Sequence, residues 1–216
     1  MKNFIFLIVV LISNSFLFCQ EKIIQKRSIL KEEFEIVTYG LDDIVLENSE
    51  NDELEVVLYD ENPNTHNILF KEEESVLKIE FELNFLPIQD GVFRKYITKR
   101  LQRAWALVKI PKNKKITLHG KTIGVTSKSY QGELSIYIER GNVQLNTISR
   151  STIVHLFQGN VFAKTSNVGL NFVTNKGAII INEEKKVSPY RKTIPSSLKH
   201  LTINSIHANI NIQAEQ

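Results

Sequence analysis

The sequence predicts an all-β protein: a single-chain parallel β-solenoid, or β-helix, with coils of about 18 residues and irregular, acidic N-terminal coils. Three observations predict it. Matching segments begin at Gly141, Gly159 and Gly177, which follow one another at a constant interval. Apolar and polar residues alternate inside each segment, and this two-residue period gives each strand one apolar face. Glycines fall at the ends of the alternating stretches, where tight corners are expected.

Aligning the segments at this interval places apolar side chains in columns that should stack inside one core. A single coil buries too few side chains to offset its backbone entropy, which is roughly 1–2 kcal/mol per ordered residue. Coils therefore become stable only when they share a core and hydrogen-bond to their neighbours. The columns are Val125, Val143, Val161 and Ile179; Leu134, Thr152 and Leu170; Ile136, Val154 and Phe172; and Ile138, Leu156 and Thr174.

The chain begins with the pattern of a secretory signal peptide over residues 1–19. Lys2 precedes an unbroken apolar run, and Cys19 is the last residue before the predicted cleavage. A membrane anchor is the weaker interpretation, because the run spans only about 13 Å of helix against a bilayer core of about 30 Å. Acylation of Cys19 is disfavoured by Phe18, since lipoprotein signals place a small residue there. Cleavage would leave a mature chain with no cysteine and no transmembrane span.

The mature chain is predicted to have an irregular first part and a regular second part. Residues 20–103 are predicted to form acidic N-terminal β coils with a basic loop at 83–103, and a separate antiparallel sandwich is the alternative for this half. Residues 104–216 are predicted to form the regular solenoid. Within that part we expect a loop at 183–199 and a final coil at 200–212.

Charge divides the chain in nearly the same place. Residues 1–90 contain 7 Lys or Arg and 19 Asp or Glu, a net charge of −12, whereas residues 91–216 contain 20 and 5, a net charge of +15. This asymmetry predicts an anionic partner for the second half, or contact between the halves or between copies of the chain.

Two stretches resemble a known family. The phrase Ala106-Leu-Val-Lys-Ile-Pro and the strand Gly141-Asn-Val-Gln-Leu are similar to sequences of the bacterial putative-adhesin family, exported β-solenoid domains of unknown function related to the GIN head domain. The resemblance covers residues 34–212 and is clearest over 104–182. It implies the solenoid fold and export, and it implies no catalytic residues.

The pattern of reactive side chains favours a non-enzymatic protein. A β-helix enzyme acting on polysaccharides needs clustered carboxylates or calcium ligands. Residues 104–182 contain only Glu133 and Glu139, which lie about 20 Å apart if both belong to one extended strand. No HxH or HExxH pair, nucleophile elbow or phosphate-binding glycine loop occurs. We expect no catalytic residues, no metal and no cofactor; a polysaccharide lyase or hydrolase on a β-helix is the alternative.

Two surfaces are candidate binding sites. A basic run in the first loop is a candidate site for an anionic polysaccharide or envelope polymer, although surface charge runs usually have no ligand and pairing with the acidic half is the favoured role. An outward column on the regular coils would stack on sugar rings, although aromatic residues also simply suit strands. The residues are Arg94, Lys95, Lys99, Arg100 and Arg103 for anion binding, and Tyr137, His155 and Arg140 for glycan stacking.

Together these features predict an exported protein of the cell envelope or surface, an adhesin-like binding or structural module in the periplasm, on the outer surface or in the medium. Nucleic acid is excluded as a partner because the protein is expected to leave the cytoplasm and no nucleic-acid motif occurs.

Overall fold

The computed structural model describes residues 21–28, 31–61, 66–83 and 104–215, and these residues form β-strands and no helix. The predicted all-β class is therefore confirmed. The strands of the first half are β1 (Glu21–Ser28), β2 (Glu33–Val37), β3 (Asp43–Asn48), β4 (Glu53–Asp60), β5 (His66–Glu73) and β6 (Val76–Leu83). The strands of the second half are β7 (Ala104–Ile110), β8 (Lys115–Thr122), β9 (Gly124–Ser127), β10 (Glu133–Leu145), β11 (Ser151–Ser166), β12 (Gly169–Thr174), β13 (Ile179–Ile181), β14 (Glu184–Lys186), β15 (Tyr190–Lys192) and β16 (His200–Glu215).

The strands pair into two runs that share three long strands. The first run has the order β5-β6-β2-β8-β10-β11-β16-β12-β15. The second run has the order β1-β4-β7-β3-β9-β10-β11-β16-β13-β14. Strands β10, β11 and β16 belong to both, because their first halves pair in the first run and their second halves pair in the second.

The sheet is mixed, and the prediction of a parallel fold holds only for its middle. Pairing is parallel from β6 to β12 in the first run and from β7 to β13 in the second. The outer strands β1, β4, β5, β14 and β15 pair antiparallel. These outer strands cover the ends of the parallel ladders, which would otherwise present a long row of unpaired backbone groups.

The prediction that residues 200–212 form the final coil is wrong in its position. Strand β16 is last in the chain but lies inside the sheet, between β11 on one side and β12 and β13 on the other. Ile210 therefore stands between Val161 and Ile179, which are not direct neighbours although they are one repeat apart in the sequence. An interior place satisfies the backbone groups of β16 on both edges along most of its length.

The predicted columns are otherwise confirmed as buried stacks. Val143 is fully buried and lies in register with Val125 on one side and Val161 on the other. Strand β16 adds one member to each column: Ile210, Leu201, Ile203 and Ser205. The alternating burial of β10, β11 and β16 confirms the two-residue period read from the sequence.

The acidic half continues the same sheet and does not form a separate sandwich. Strand β2 pairs in parallel with β8, and β3 pairs in parallel with β9, so both continue the ladders of the second half. The buried side chains of both halves belong to one hydrophobic cluster. Chain order is again broken here, because β6 and β7 lie outside β2 and β3.

Two glycines form the corner at which the long strands pass from one run to the other. Gly141 and Gly159 are paired in register and both have φ of 146°. A Cβ atom on Gly159 would lie 1.8 Å from the carbonyl oxygen of Gly141, and one on Gly141 would lie 1.8 Å from the carbonyl oxygen of Ile123. Glycine is required at this corner because the backbones approach too closely for any side chain.

The segment predicted as a loop at 183–199 is partly a cap on the sheet. Strand β14 pairs antiparallel with β13, and β15 pairs antiparallel with β12, so this segment covers the free edges at one end of both runs. Asn182 and Glu183, with φ of 49° and 68°, form the two-residue turn between β13 and β14. Positive φ at both central positions is the geometry of the type I′ hairpin turn. In the described residues no helix is long and apolar enough to cross a membrane.

Replacing Val143 by Asp should prevent folding of the mature protein. The substitution places a carboxylate in a fully buried apolar column, and an unpaired buried charge costs several kcal/mol, comparable to the whole stability of a domain. The matched control is Gln144→Asp, because Gln144 is the next residue of β10 and is exposed. Far-ultraviolet circular dichroism should show β structure in the control alone; a folded Val143→Asp protein would contradict the assignment of this column to the core.

Candidate ligand-binding surfaces

Ion pairs join the acidic first half of the chain to the basic second half. Each pair joins a glutamate of the first half to a lysine of the second on a neighbouring strand or turn. The pairs are Glu32–Lys114 at 2.6 Å, Glu33–Lys115 at 3.2 Å, Glu47–Lys128 at 2.7 Å and Glu55–Lys109 at 3.3 Å. Contact between the halves, one of the outcomes predicted from the asymmetry, is therefore observed.

Glu55 lies at the centre of the most extended of these contacts. Its carboxylate contacts Lys26 at 3.1 Å as well as Lys109, so one anion lies between cations of two neighbouring strands. The hydrogen bonds from Lys26 and then from Lys109 hold the pKa of Glu55 below its usual range. The partners of the acidic half include lysines outside the basic run, whose residues Arg94, Lys95, Lys99, Arg100 and Arg103 lie outside the described residues.

The described residues contain no cluster of metal-ligating side chains and one buried His–Asp pair. Among these residues, no three His, Cys, Asp or Glu side chains are grouped so that they could hold a metal ion. The same residues contain no buried side-chain nitrogen or oxygen without a hydrogen-bond partner. The buried His66–Asp60 pair, with Nδ1 2.8 Å from Oδ2, has its other ring nitrogen 3.1 Å from the Gly40 carbonyl oxygen.

The predicted aromatic column forms a stack of three rings on the first run. Tyr137 lies between His119, at 5.3 Å between ring centroids, and His155, at 4.9 Å. The planes differ by only 15° and 9°, and rings this close and this parallel meet through their faces. Both faces of Tyr137 are therefore occupied by imidazole rings, and its edge faces solvent. A glycan-stacking role for Tyr137 and His155 stays a prediction, and their rings already make a structural contact.

Arg140, the third residue predicted for glycan stacking, and Asn204 of β16 lie near this stack. Asn204 of β16 stands between His155 and Val173, because of the interior position of β16. Arg140 is exposed at the corner, in register with Gln158 and Thr122. A shallow depression of about 490 Å³ follows this surface and includes the exposed side chains of Phe157 and Ile206.

A second, larger groove lies on the outward face of the second run, and the sequence analysis did not identify it. Its volume is about 840 Å³. Phe162 of β11 is at its centre and is 46% exposed. In register with Phe162 are Gln144 of β10 and Asn211 of β16, and Ile180 of β13 is in register with Asn211. The groove is also lined by Asn146, Lys164, Asn182, Glu183 and Gln213.

The carboxamides at this surface fall into two groups by their hydrogen bonds. One group forms a ladder across the strands: the Asn160 amide donates to Asn142 Oδ1 at 2.9 Å, and the Asn209 amide donates to Asn160 Oδ1 at 3.2 Å. The ladder ends at Asn209 Oδ1, which accepts from the Ala178 N–H at 3.1 Å. These amides hold the strands together, so a ligand would have to compete with that function.

The other group is available to a ligand. Asn211 and Gln213 make no side-chain hydrogen bond with any described residue, and the Gln144 amide donates to Asn146 Oδ1 only at 3.4 Å. The rim beside them is fixed, because Asn182 donates to the Ala214 carbonyl at 2.9 Å and accepts from the Ala214 N–H at 2.7 Å. The groove therefore has a fixed wall and unengaged carboxamides around an exposed phenyl ring.

A signal for part of this groove is present in the sequence. Gln144, Phe162 and Ile180 follow one another at the repeat interval, so the same alignment that gave the core columns also gives this outward column. Asn211 could not be found in this way, because its place depends on the insertion of β16 between β11 and β13.

Comparisons with known proteins find a shared fold among solved structures and no match among families or curated sequences. No protein-family model and no curated protein sequence matches the chain. The structure resembles a putative cell adhesion protein from Clostridium sporogenes with a TM-score of 0.66 and 13% identity, over 91% of this chain and all of that chain. A putative adhesin from Bacteroides fragilis matches with a TM-score of 0.39 and 10% identity, over 90% of this chain and 98% of that one. The first similarity shows a shared fold, and the second is too weak to carry an argument.

Replacing Tyr137 by Ala should lower the free energy of unfolding by about 1–2 kcal/mol, because two cross-strand ring contacts are lost. Tyr137→Phe keeps both contacts and serves as the control, with stability close to that of the wild type. Urea denaturation of the three proteins measures the difference. Equal stability of the Ala and Phe variants would show that the stack contributes nothing.

Proposed function

We propose that this protein is an exported, non-enzymatic module of the bacterial cell envelope or surface, which binds an envelope or surface polymer without changing it chemically. In this proposal the two runs of strands are the two faces of an adhesin-type β-solenoid related to the GIN head domain, and antiparallel strands close its ends. The faces act as a rigid platform for a ligand.

The observation that carries the proposal is the fold similarity to the putative cell adhesion protein from Clostridium sporogenes over that protein's whole length. Two further features support it. The parallel strands place outward side chains in straight rows, as a surface for an extended polymer requires. The outward face of the second run also presents an exposed aromatic side chain, Phe162.

The distribution of carboxylates supports binding without catalysis. A polysaccharide lyase or hydrolase, the alternative from the sequence, would need two acidic groups or a cation site at one groove. In the described residues each of the two grooves is lined by one carboxylate, Glu139 in the smaller and Glu183 in the larger. Several acidic side chains of the first half are instead engaged by lysines.

Export predicts a defined mature N-terminus. When the full-length chain is expressed in a bacterium, the protein recovered from the envelope fraction or the medium should begin at Gln20, because signal peptidase cleaves after the small residue Cys19. Intact-mass measurement identifies the N-terminal residue of the mature protein. A charged residue placed in the apolar run, as in Val9→Arg, should abolish processing. An uncleaved wild-type chain in the cytoplasm would contradict export.

The mature protein should be retained by at least one bacterial envelope or extracellular polysaccharide in a binding panel, with no new reducing ends or unsaturated products after incubation. If the basic run contributes, replacing Arg94, Lys95, Lys99, Arg100 and Arg103 together by Gln should remove binding to anionic polymers such as alginate. The melting temperature of this variant should stay nearly unchanged. Binding by the wild-type protein should weaken steeply as the salt concentration rises.

The same variant distinguishes a ligand site from a structural role. Intact binding with a lowered melting temperature would show that the run pairs with the acidic half instead. Polymer cleavage by the wild-type protein would overturn the non-enzymatic assignment, and the absence of any polymer binding would overturn the proposed function as a whole.

A further inference from the structure

We infer that the groove around Phe162 is a binding site for an uncharged glycan, with the phenyl ring as a stacking platform and the surrounding carboxamides as partners for hydroxyl groups. This inference rests on the proposed function and names both its site and its ligand class.

The first argument is the state of the aromatic ring. Phe162 is 46% exposed in the middle of a sheet face, and no aromatic ring of the described residues stacks on it, in contrast to Tyr137. Leaving an apolar ring in water is unfavourable by about 25 cal/mol per Å² of exposed surface. The face of such a ring carries negative charge density. The weakly positive C–H groups on the face of a sugar ring complement that charge.

The second argument is the hydrogen-bonding capacity around the ring. Gln144 and Asn211 lie directly beside Phe162 on the neighbouring strands, and Gln213 follows Asn211 on the same face of β16. A carboxamide has both a donor group and an acceptor oxygen, so it can bind a hydroxyl group in either of its roles. Asn211 and Gln213 are not engaged with any described residue, so a ligand does not have to displace an internal bond.

The third argument is charge. Residues 91–216 have a net charge of +15, yet the described lining of this groove has one cation, Lys164, and one anion, Glu183. A site for an anionic polymer would concentrate lysine or arginine side chains, as the basic run does. The groove is neutral inside a strongly basic half, which matches an uncharged ligand.

The fourth argument is rigidity. The floor of the groove consists of four paired strands, β10, β11, β16 and β13, which together span about 14 Å at a strand spacing of about 4.8 Å. The asparagine ladder crosses β10, β11 and β16 along one side, and the β13–β14 turn is tied to Ala214 on the other. A preorganised site loses less conformational entropy when it binds a short oligosaccharide.

The test compares Phe162→Ala with Phe157→Ala in the mature protein. Both phenylalanines lie on β11 and both are 46% exposed, but they belong to opposite runs, so the second variant is a matched control. Binding is measured by calorimetry and affinity electrophoresis on the neutral polysaccharides mannan, β-glucan and amylose, and on the anionic polysaccharides alginate and pectate. Melting temperatures confirm that both variants are folded.

We expect the wild type to bind at least one neutral polysaccharide, and Phe162→Ala to weaken that binding at least tenfold, while Phe157→Ala changes it less than twofold. The double variant Asn211→Ala/Gln213→Ala should also weaken it several-fold. Affinity should change less than twofold between about 50 and 500 mM salt, because an uncharged ligand displaces no counterions.

Equal effects of the two phenylalanine variants would overturn the assignment of the site, and binding restricted to the anionic polysaccharides would overturn the ligand class. In both cases the proposed function survives, because a polymer is still bound. Binding of no polysaccharide at all overturns the proposed function and this inference together, and a Phe162-dependent contact with protein alone overturns the glycan assignment.

Discussion

The in-register parallel pairing of the long strands is the constraint on which the rest of the structure depends. β10 and β11 are paired from Leu134–Thr152 to Leu145–Ala163, through the corner at which the backbones approach too closely for a side chain. A shift of one residue would turn every buried side chain toward solvent, and would also place a side chain where only glycine fits. Core packing and corner geometry therefore select the same register. That register determines which side chains lie on the outward faces of the two runs.

The same register gives the uneven charge distribution a structural role. Because β2 and β3 lie beside β8 and β9, acidic side chains of the first half come next to lysines of the second half. Each exposed pair contributes little, typically below about 1 kcal/mol. Where strands of the first half lie side by side, as β1 beside β4 and β2 beside β6, Lys26 and Lys78 of that half pair with Glu55 and Glu35 in the same way.

The outward faces of the two runs differ in chemistry. On the first run, the outward aromatic and imidazole rings pack against one another, so their faces contact protein. On the second run, a single phenyl ring is surrounded by carboxamides and remains open. The difference lies in the neighbouring strands: a ring with rings in register on both sides forms a stack, whereas a ring between Gln144 and Asn211 has none. Phe157 and Phe162 are equally exposed on one strand, but the Phe157 ring contacts His207, with centroids 5.5 Å apart, whereas no described aromatic ring contacts Phe162.

The sequence by itself determined the all-β class, the alternation of inside and outside, and the membership of the core columns, because the two-residue period and the regular repeat are local properties of the chain. It also contained the outward column of Gln144, Phe162 and Ile180. Only the tertiary structure decided the order of the strands. The alternating pattern of β16 would suit any edge of the parallel ladder, so the sequence does not predict its place between β11 and the strands β12 and β13. That placement brings Asn211 beside Phe162 and so completes the groove.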